Sequence, residues 1–152
     1  MPRILIGLLT TIVLCFGSPP GLAKDGYVGS AECKACHQEE YKQWRDSDHA
    51  WAMLQPNQQS VLGDFSDVAV EFHDIKTRFY QKGSDYFVET LGDNGIEAFK
   101  VAYTFGRYPL QQYLIELDSG HLQAFDVAWD SRGSEEGGQR WFHLQPDQEV
   151  HP

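Results

Sequence analysis

The sequence predicts an α+β fold in which short N-terminal helices precede an antiparallel β-meander. Apolar residues recur with a helical period over residues 31 to about 45. From residue 67 onward, apolar and polar residues alternate with a period of two, which is typical of strands with one buried face. Glycine-containing turn sequences separate these alternating runs. Behind the apolar N-terminus, about 130 residues remain, enough for one domain with a hydrophobic core.

The first 23 residues have the pattern of a secretory signal peptide. Arg3 supplies the positive charge, and residues 4–16 form an almost unbroken apolar run of 13 residues. Such a run is too short to span a bilayer comfortably, and the small residues up to Ala23 suit a cleavage site. We therefore expect a periplasmic or secreted protein, with no membrane span after cleavage.

Two cysteines would remain after cleavage, Cys33 and Cys36, and His37 follows them directly. The spacing C-x-x-C-H is the attachment signature of c-type haem. On a helix, positions i, i+3 and i+4 share one face, so two thiols can bind one porphyrin while the imidazole ligates its iron. A disulfide across so short a gap would stabilise little. The motif predicts one haem c per chain, with thioether bonds to Cys33 and Cys36 and with His37 as the proximal axial ligand.

The helix that carries this motif is predicted to begin after Ser30, which is a suitable N-cap. Tyr41 and Trp44 continue the face that begins with the thiols, so we expect them to pack along the haem edge or in the adjoining core. Residues 46–48 interrupt the helical pattern. A second short helix is predicted over residues 49–54 and stops before a proline.

Five or six antiparallel strands are predicted from the alternating runs and the turns between them. The apolar residues that define the runs are Val68, Val70 and Phe72; Phe99, Val101, Tyr103 and Phe105; Tyr113, Ile115 and Leu117; and Phe125, Val127 and Trp129. Residues 82–84, 92–95 and 118–120 have the composition of hairpin turns.

The predicted domain organisation follows from these elements. Residues 1–23 are assigned to the signal peptide, 24–147 to one c-type cytochrome domain and 148–152 to a polar tail. Within the domain, residues 24–56 form the helical haem-attachment segment and residues 67–130 the β-meander.

The chain is strongly acidic. Its formal charge is −10, and loss of Arg3 with the signal peptide makes it −11. This charge repels nucleic acid and anionic lipid and would steer a basic redox partner towards the protein, although solubility alone also accounts for it.

The stretch from Tyr27 to His37, continued by Tyr41, Trp44, Ser47 and His49, resembles the first haem segment of large periplasmic multihaem c-type cytochromes. Many of those proteins also carry tetratricopeptide repeats. The later sequences around Pro109-Leu110-Gln111-Gln112-Tyr113 and Trp129-Asp130-Ser131-Arg132, and the stretch Trp141-Phe142-His143-Leu144, resemble the same family. The resemblance covers about residues 25–147 and implies electron transfer through covalent haem.

Members of that family would continue into further C-x-x-C-H motifs, whereas this sequence contains one. It therefore resembles the first portion of a longer cytochrome. Further haem domains of that longer chain are expected among its partners.

Several residues are candidates for the sixth ligand of the iron. One straight helix, rising roughly 1.5 Å per residue, would place His49 about 18 Å from His37, so His49 can ligate the same iron only if the chain folds back at residues 46–48. The family resemblance favours His49. His121 is the next candidate because it is predicted to share the inward face of a strand with Phe125, although a hydrogen-bonded core histidine fits the same pattern.

Met53 would be the only methionine left after processing, and ligation by it would raise the reduction potential. Helix packing beside Trp51 is the favoured interpretation of Met53. His73 is predicted to be solvated, His143 remains ambiguous and His151 falls in the tail.

Electron transfer by a carrier, or by the electron-entry module of a larger assembly, is the favoured function, and enzyme activity is not. A haem enzyme or small-ligand sensor with an open sixth position is the alternative. A zinc site formed by Cys33, Cys36, His37 and His49 is disfavoured because adjacent Cys36 and His37 make awkward joint ligands. Thioredoxin-like exchange lacks the strand that should precede its C-x-x-C motif.

Overall fold

The fold is mostly β. A computed structural model describes residues 28–118 and 120–147. Within these residues, eight strands form one antiparallel sheet, accompanied by a single α-helix and two 3₁₀ helices. The predicted α+β class, with N-terminal haem-bearing helices followed by an antiparallel β-meander, is therefore wrong. The predicted signal peptide and the tail at residues 148–152 lie outside the described residues.

The elements have the following bounds. The helices are a 3₁₀ helix over Ser30–Ala35, α1 over Gln38–Arg45 and a second 3₁₀ helix over Ser134–Glu136. The strands are β1 (Ser66–Phe72), β2 (Ile75–Lys82), β3 (Asp85–Gly92), β4 (Gly95–Phe105), β5 (Leu110–Glu116), β6 (Leu122–Ala124), β7 (Val127–Asp130) and β8 (Arg140–His143).

The strands β1 to β5 follow one another as antiparallel neighbours, and the order then continues through β7 to β8. β6 pairs with Leu114, Ile115 and Glu116 of β5, while β7 pairs with Leu110 and Gln111 at the start of the same strand. One edge of β5 is therefore shared by two short strands.

The N-terminal helical region is shorter than predicted. The helix expected over residues 31–45 is interrupted at His37, and Gly29, at φ 77°, rather than Ser30 occupies the N-cap of its first part. The helix expected over residues 49–54 is replaced by i→i+3 turns, in which the N–H groups of Ala50, Trp51 and Ala52 donate to carbonyls three residues earlier.

Pairing with β4 explains the loss of this second helix. Leu54 and Thr104 exchange two backbone hydrogen bonds of 2.9 and 3.3 Å, and the Gly106 N–H donates to the Ala52 carbonyl. The chain must therefore be extended at Leu54, and this tertiary pairing overrides local helix propensity. We call residues 46–54 the return turn and residues 55–65, which lead from it to β1, the linker.

Aromatic side chains fill the space enclosed by the sheet. Trp141 of β8 stacks on Phe79 of β2, with ring centroids 3.6 Å apart and planes 7° from parallel. Phe65, at the end of the linker, meets Phe79, Tyr86 and Trp141 edge-on, and it also meets the ring of Tyr113. Strands far apart in the order therefore face each other, and the sheet is nearly closed on itself.

A bulge in β4 changes which side chains reach this core. Val101 pairs with Ile115, but the next pair is Tyr103 with Leu114, so the register shifts between them. A shift of one residue moves the following side chains to the opposite face. Thr104 is consequently buried and Phe105 is 45% exposed, which overturns the predicted inward face beyond Val101.

His121 also departs from its predicted place. It precedes β6, whose three residues are all exposed, while Phe125 and Val127 are buried in and before the next strand. Because β6 and β7 are separate strands, the alternation that linked His121 to Phe125 does not run through one element. His121 is exposed rather than inward-facing.

The amide of Gln111 connects the linker to the sheet. Its Oε1 accepts hydrogen bonds from the Leu62 N–H at 2.8 Å and the Tyr113 hydroxyl at 2.7 Å. Its Nε2 donates to the carbonyls of Ser60 at 2.9 Å and Gly106 at 3.0 Å. The side chain is fully buried and uses all of its amide donors and acceptor sites.

Tyr113 extends this buried network towards Gly63. The Gly63 N–H donates to the Tyr113 hydroxyl at 3.0 Å, and a Cβ at position 63 would lie 2.6 Å from that hydroxyl oxygen and 2.7 Å from the Trp141 ring. Only glycine allows this approach. Burial raises the pKa of the Tyr113 phenol above its ordinary value, so the hydroxyl stays protonated and donates to Gln111.

Replacing Gln111 with leucine should destabilise the fold by about 3 kcal/mol, because several buried backbone groups would lose their partners. Urea denaturation of the wild type and Gln111→Leu measures this difference. Gln123→Leu is the matched control, since Gln123 lies on exposed β6. A loss no larger than that of the control would contradict the structural role of Gln111.

Asp130 and Arg132 form a partly enclosed ion pair at the end of β7. Asp130 is 3% exposed, and its carboxylate accepts hydrogen bonds from Arg132 Nε at 2.9 Å and Nη2 at 2.6 Å. These side-chain hydrogen bonds lower the pKa of Asp130 to about 2, although burial opposes the shift. Because the folded-state pKa lies below the ordinary value, the ionised carboxylate contributes stability that protonation removes.

The contribution of Asp130 should therefore depend on pH. The stability advantage of the wild type over Asp130→Asn should be fully present above pH 3.8 and disappear as the pH falls to about 2. Unfolding curves for both proteins at about pH 5 and about pH 2 test this. Arg132→Gln should remove the same pH-dependent component, and a constant difference across this range would refute the assignment.

Candidate functional site

The C-x-x-C-H motif lies at the junction between the first 3₁₀ helix and α1. The Cys33 carbonyl accepts hydrogen bonds from the N–H groups of Cys36, at 3.3 Å, and His37, at 2.9 Å. His37 is the N-cap of α1, and its own carbonyl accepts the Tyr41 N–H at 2.9 Å. One helical turn therefore still joins Cys33 to His37, although a continuous helix does not run through the motif.

Both motif cysteines are free and exposed. They are therefore available for covalent attachment to an electrophilic group. A thioether bond requires a free thiol, and a disulfide between Cys33 and Cys36 would leave neither thiol free.

A shallow depression of about 230 Å³ opens beside this junction. It is lined by Ser30, Cys33, His37, Glu40, Tyr41 and Trp44. The lining surface is almost entirely apolar. The structure thus brings four of the predicted site residues, Cys33, His37, Tyr41 and Trp44, to one place, whereas exposed Cys36 lies outside the lining of this depression.

The two aromatic rings of the depression lie close together. The ring centroids of Tyr41 and Trp44 are 6.1 Å apart with the planes tilted by 36°, and the Lys34 ammonium lies 5.8 Å from the Tyr41 ring centroid. Trp44 is nevertheless 43% exposed. This apolar face is available to cover a planar apolar group.

The helical region lacks a core of its own, since no residue of the first 3₁₀ helix or of α1 is buried. A helix of two turns is only marginally stable without packing against another surface. Free thiols, an adjacent imidazole and an uncovered apolar face therefore fit a covalently attached haem, whose porphyrin would supply the missing apolar contact.

Residues 28–118 and 120–147 contain no group of three or more His, Cys, Asp or Glu side chains placed to hold a bare metal ion. The zinc site considered from the sequence requires Cys33, Cys36, His37 and His49 together, and the structure does not assemble them. Haem iron makes no such demand, because the porphyrin supplies four of its ligands and the protein only the axial ones.

Three candidates for the sixth ligand are exposed. His49 lies in the return turn, Met53 is 51% exposed in the same segment, and His121 precedes β6. The helix end predicted at residues 46–48 is present, because α1 ends at Arg45 and the chain reverses towards β4.

The remaining histidines lie elsewhere. His143 is buried, its Nε2 lies 3.0 Å from Asp126 Oδ2, and its Nδ1 accepts the Gln145 N–H at 3.1 Å. Both ring nitrogens are therefore used within the sheet. His73 lies in the β1–β2 turn, with its ring 5.0 Å from that of His143, and His151 lies outside the described residues.

Sequence reasoning missed the residues that attach the return turn to the sheet. The sequence presents Gln111 only as part of the family-like run at residues 109–113, and it gives no signal for Arg107 in the β4–β5 connection. Gln111 is in phase with the alternating residues Tyr113 and Ile115 of β5, but it is polar and belongs to no chemical motif. Arg107 lies outside the alternating runs and outside any chemical motif. Their roles depend on contacts with residues some 50 to 60 positions away in the chain.

Taken together, the free thiols, the adjacent imidazole and the apolar depression are typical of the haem segment of a c-type cytochrome. A family model described as cytochrome c554 and c-prime matches residues 32–78. The match includes the C-x-x-C-H motif and confirms the resemblance of this region to a cytochrome haem segment. The match supports the interpretation of this region as a c-type cytochrome segment with haem c as its cofactor.

The family match ends within β2 and covers less than half of the chain. No curated protein and no solved structure matches the sequence significantly. In the part of the chain that the structure describes, no helix has the length and apolar character needed to cross a membrane.

Proposed function

We propose that this chain is a periplasmic c-type cytochrome module that carries one covalent haem and acts in electron transfer. Cys33 and Cys36 would form the thioether bonds, and His37 would be the proximal axial ligand. The observation that carries the proposal is the depression in which Cys33 and His37 meet two aromatic rings. The N-terminal sequence pattern supports export to the periplasm.

Each part of the site has a role in this function. When bound, the haem supplies a reversible one-electron couple. The hydrogen bond from the His37 N–H to the Cys33 carbonyl holds these two residues one helical turn apart, which would orient the attached group against α1. Tyr41 and Trp44 would cover part of the porphyrin, while the shallowness of the depression leaves an edge open to a redox partner.

The character of the lining favours electron transfer over the alternative of a haem enzyme or ligand sensor. Catalysis at iron would call for polar groups that handle protons or hold a substrate. Apart from His37, which would ligate the iron, polar groups in the lining come from Ser30, Glu40 and the Tyr41 hydroxyl, and the exposed lining surface is nevertheless almost entirely apolar. Such surroundings suit a group that changes oxidation state without making or breaking bonds.

The distribution of charge supports a basic redox partner. Residues 64–147 contain fifteen acidic and seven basic side chains, whereas residues 28–63 contain five and three. The sheet therefore carries most of the negative charge and would attract a positively charged protein. Further haem domains, in a longer chain or in a partner, would be the natural next carriers.

Covalent attachment predicts that a Cys33→Ala, Cys36→Ala double variant loses haem staining on a denaturing gel. The chain would be expressed in a host with a cytochrome c maturation system, and the double variant lacks both sulfurs that would form thioether bonds. Ser30→Ala is the matched control, since it alters the same depression and leaves the thiols intact. Equal staining of the double variant and the wild type would refute covalent attachment.

Ligation by His49 predicts that His49→Ala converts the iron from low-spin to high-spin, as seen in the absorption spectrum. His121→Ala and Met53→Leu test the other two candidates and should leave the spectrum unchanged. If His49→Ala retains the wild-type spectrum, the sixth ligand must be sought among those two. A wild type that is already high-spin and shifts on addition of cyanide would instead favour the enzyme or sensor alternative.

A further inference from the structure

Arg107 makes three side-chain contacts with the return turn. Its Nε donates to Asp48 Oδ1 at 2.9 Å, and its Nη2 donates to the Asp46 carbonyl at 3.3 Å. Its guanidinium also lies over the Trp51 ring, 5.1 Å from the centroid. One side chain from the β4–β5 connection thus contacts the return turn at three residues, Asp46, Asp48 and Trp51.

The backbone around Arg107 is itself fixed to the sheet. The Arg107 carbonyl accepts a hydrogen bond from the hydroxyl of Ser131, the residue that directly follows β7. The preceding residue, Gly106, donates its N–H to the Ala52 carbonyl and accepts a hydrogen bond from buried Gln111. The guanidinium is therefore presented from a rigid base rather than from a free loop.

An exposed ion pair by itself would stabilise this arrangement little. Arg107 adds to the ion pair a hydrogen bond to a backbone carbonyl and contact with an aromatic face. Lysine cannot reproduce this combination, because it lacks the planar, forked guanidinium. Asp46 is also the C-cap of α1, where a positive charge is favoured by the helix dipole.

The position of His49 gives these contacts their significance. His49 lies in sequence between Asp48 and Trp51, both of which Arg107 contacts. We propose that Arg107 is a positioning residue that holds the return turn folded back, and thereby fixes His49 relative to the haem-bearing helix. The inference rests on the proposed function, since it concerns the haem that Cys33 and Cys36 would hold.

Arg140 provides a matched control for testing Arg107. It also donates to one carbonyl, that of Gly137 at 3.0 Å, and lies over one aromatic ring, that of Phe142 at 5.8 Å. It is on β8, and its contacts are within that region of the sheet. Arg140→Gln therefore removes the same charge, a carbonyl hydrogen bond and an aromatic contact without touching the return turn.

The first measurement is amide hydrogen exchange of the full chain. In Arg107→Gln, exchange at Ala50, Trp51 and Ala52 should be about tenfold faster than in the wild type, because charge-assisted hydrogen bonds that oppose local opening are lost. Arg140→Gln should leave these amides unchanged. If these amides exchange as slowly in Arg107→Gln as in the wild type, the inference is overturned whether or not haem is attached.

The second measurement is the spectrum and reduction potential of the haem-loaded protein. Arg107→Gln should keep covalent haem staining but lose a large part of the low-spin signal, and Arg107→Lys should restore it only partly. In a His49→Ala background, Arg107→Gln should cause no further change. Faster exchange with an unaltered spectrum and potential would make Arg107 a local brace only and overturn its positioning role.

The two proposals fail in different ways. A wild-type chain without covalent haem would overturn the proposed function, and the positioning role with it. A haem-loaded wild type whose spin state does not respond to Arg107→Gln would overturn the positioning role alone.

Discussion

The buried amide of Gln111 is the contact on which the arrangement of the molecule depends. It joins the linker, through Ser60 and Leu62, to the β4–β5 connection at Gly106 and to Tyr113 in the core. Every one of these groups is polar, and an unpaired polar group in a closed interior is costly. The network therefore allows essentially one path for the chain as it passes from the helical region into the sheet.

The β4–β5 connection consequently serves both halves of the molecule. Gly106 is bonded to the core through Gln111 and to the return turn through Ala52, and Arg107 reaches the same turn with its side chain. The helical region is thus attached firmly at its C-terminal end, while the face that carries Cys33 remains uncovered. A haem at that face would complete the packing of a region that buries no residue in its helices.

The features that could be predicted from the sequence are those set by neighbouring residues. The C-x-x-C-H spacing indicates the same chemistry in any fold, and the family match agrees with it. Several strands follow from the local alternation of apolar and polar residues, and the turn at residues 92–95 follows from its glycine-containing composition. The prediction of a second helix was wrong because Leu54 pairs with a strand 50 residues away. The predicted inward face of β4 was wrong because a bulge shifts the register of that strand after Val101.

By itself, the sequence determined the attachment motif, the export pattern, the acidic charge and the period of most strands, since each depends on residue type and short-range spacing. The tertiary structure alone decided that the fold is mostly β, that Gln111 and Arg107 hold the return turn, and that His121 is exposed rather than buried. The physical reason is that these outcomes depend on hydrogen bonds and packing between segments far apart in the chain. No local pattern of residues encodes which distant partner each segment will meet.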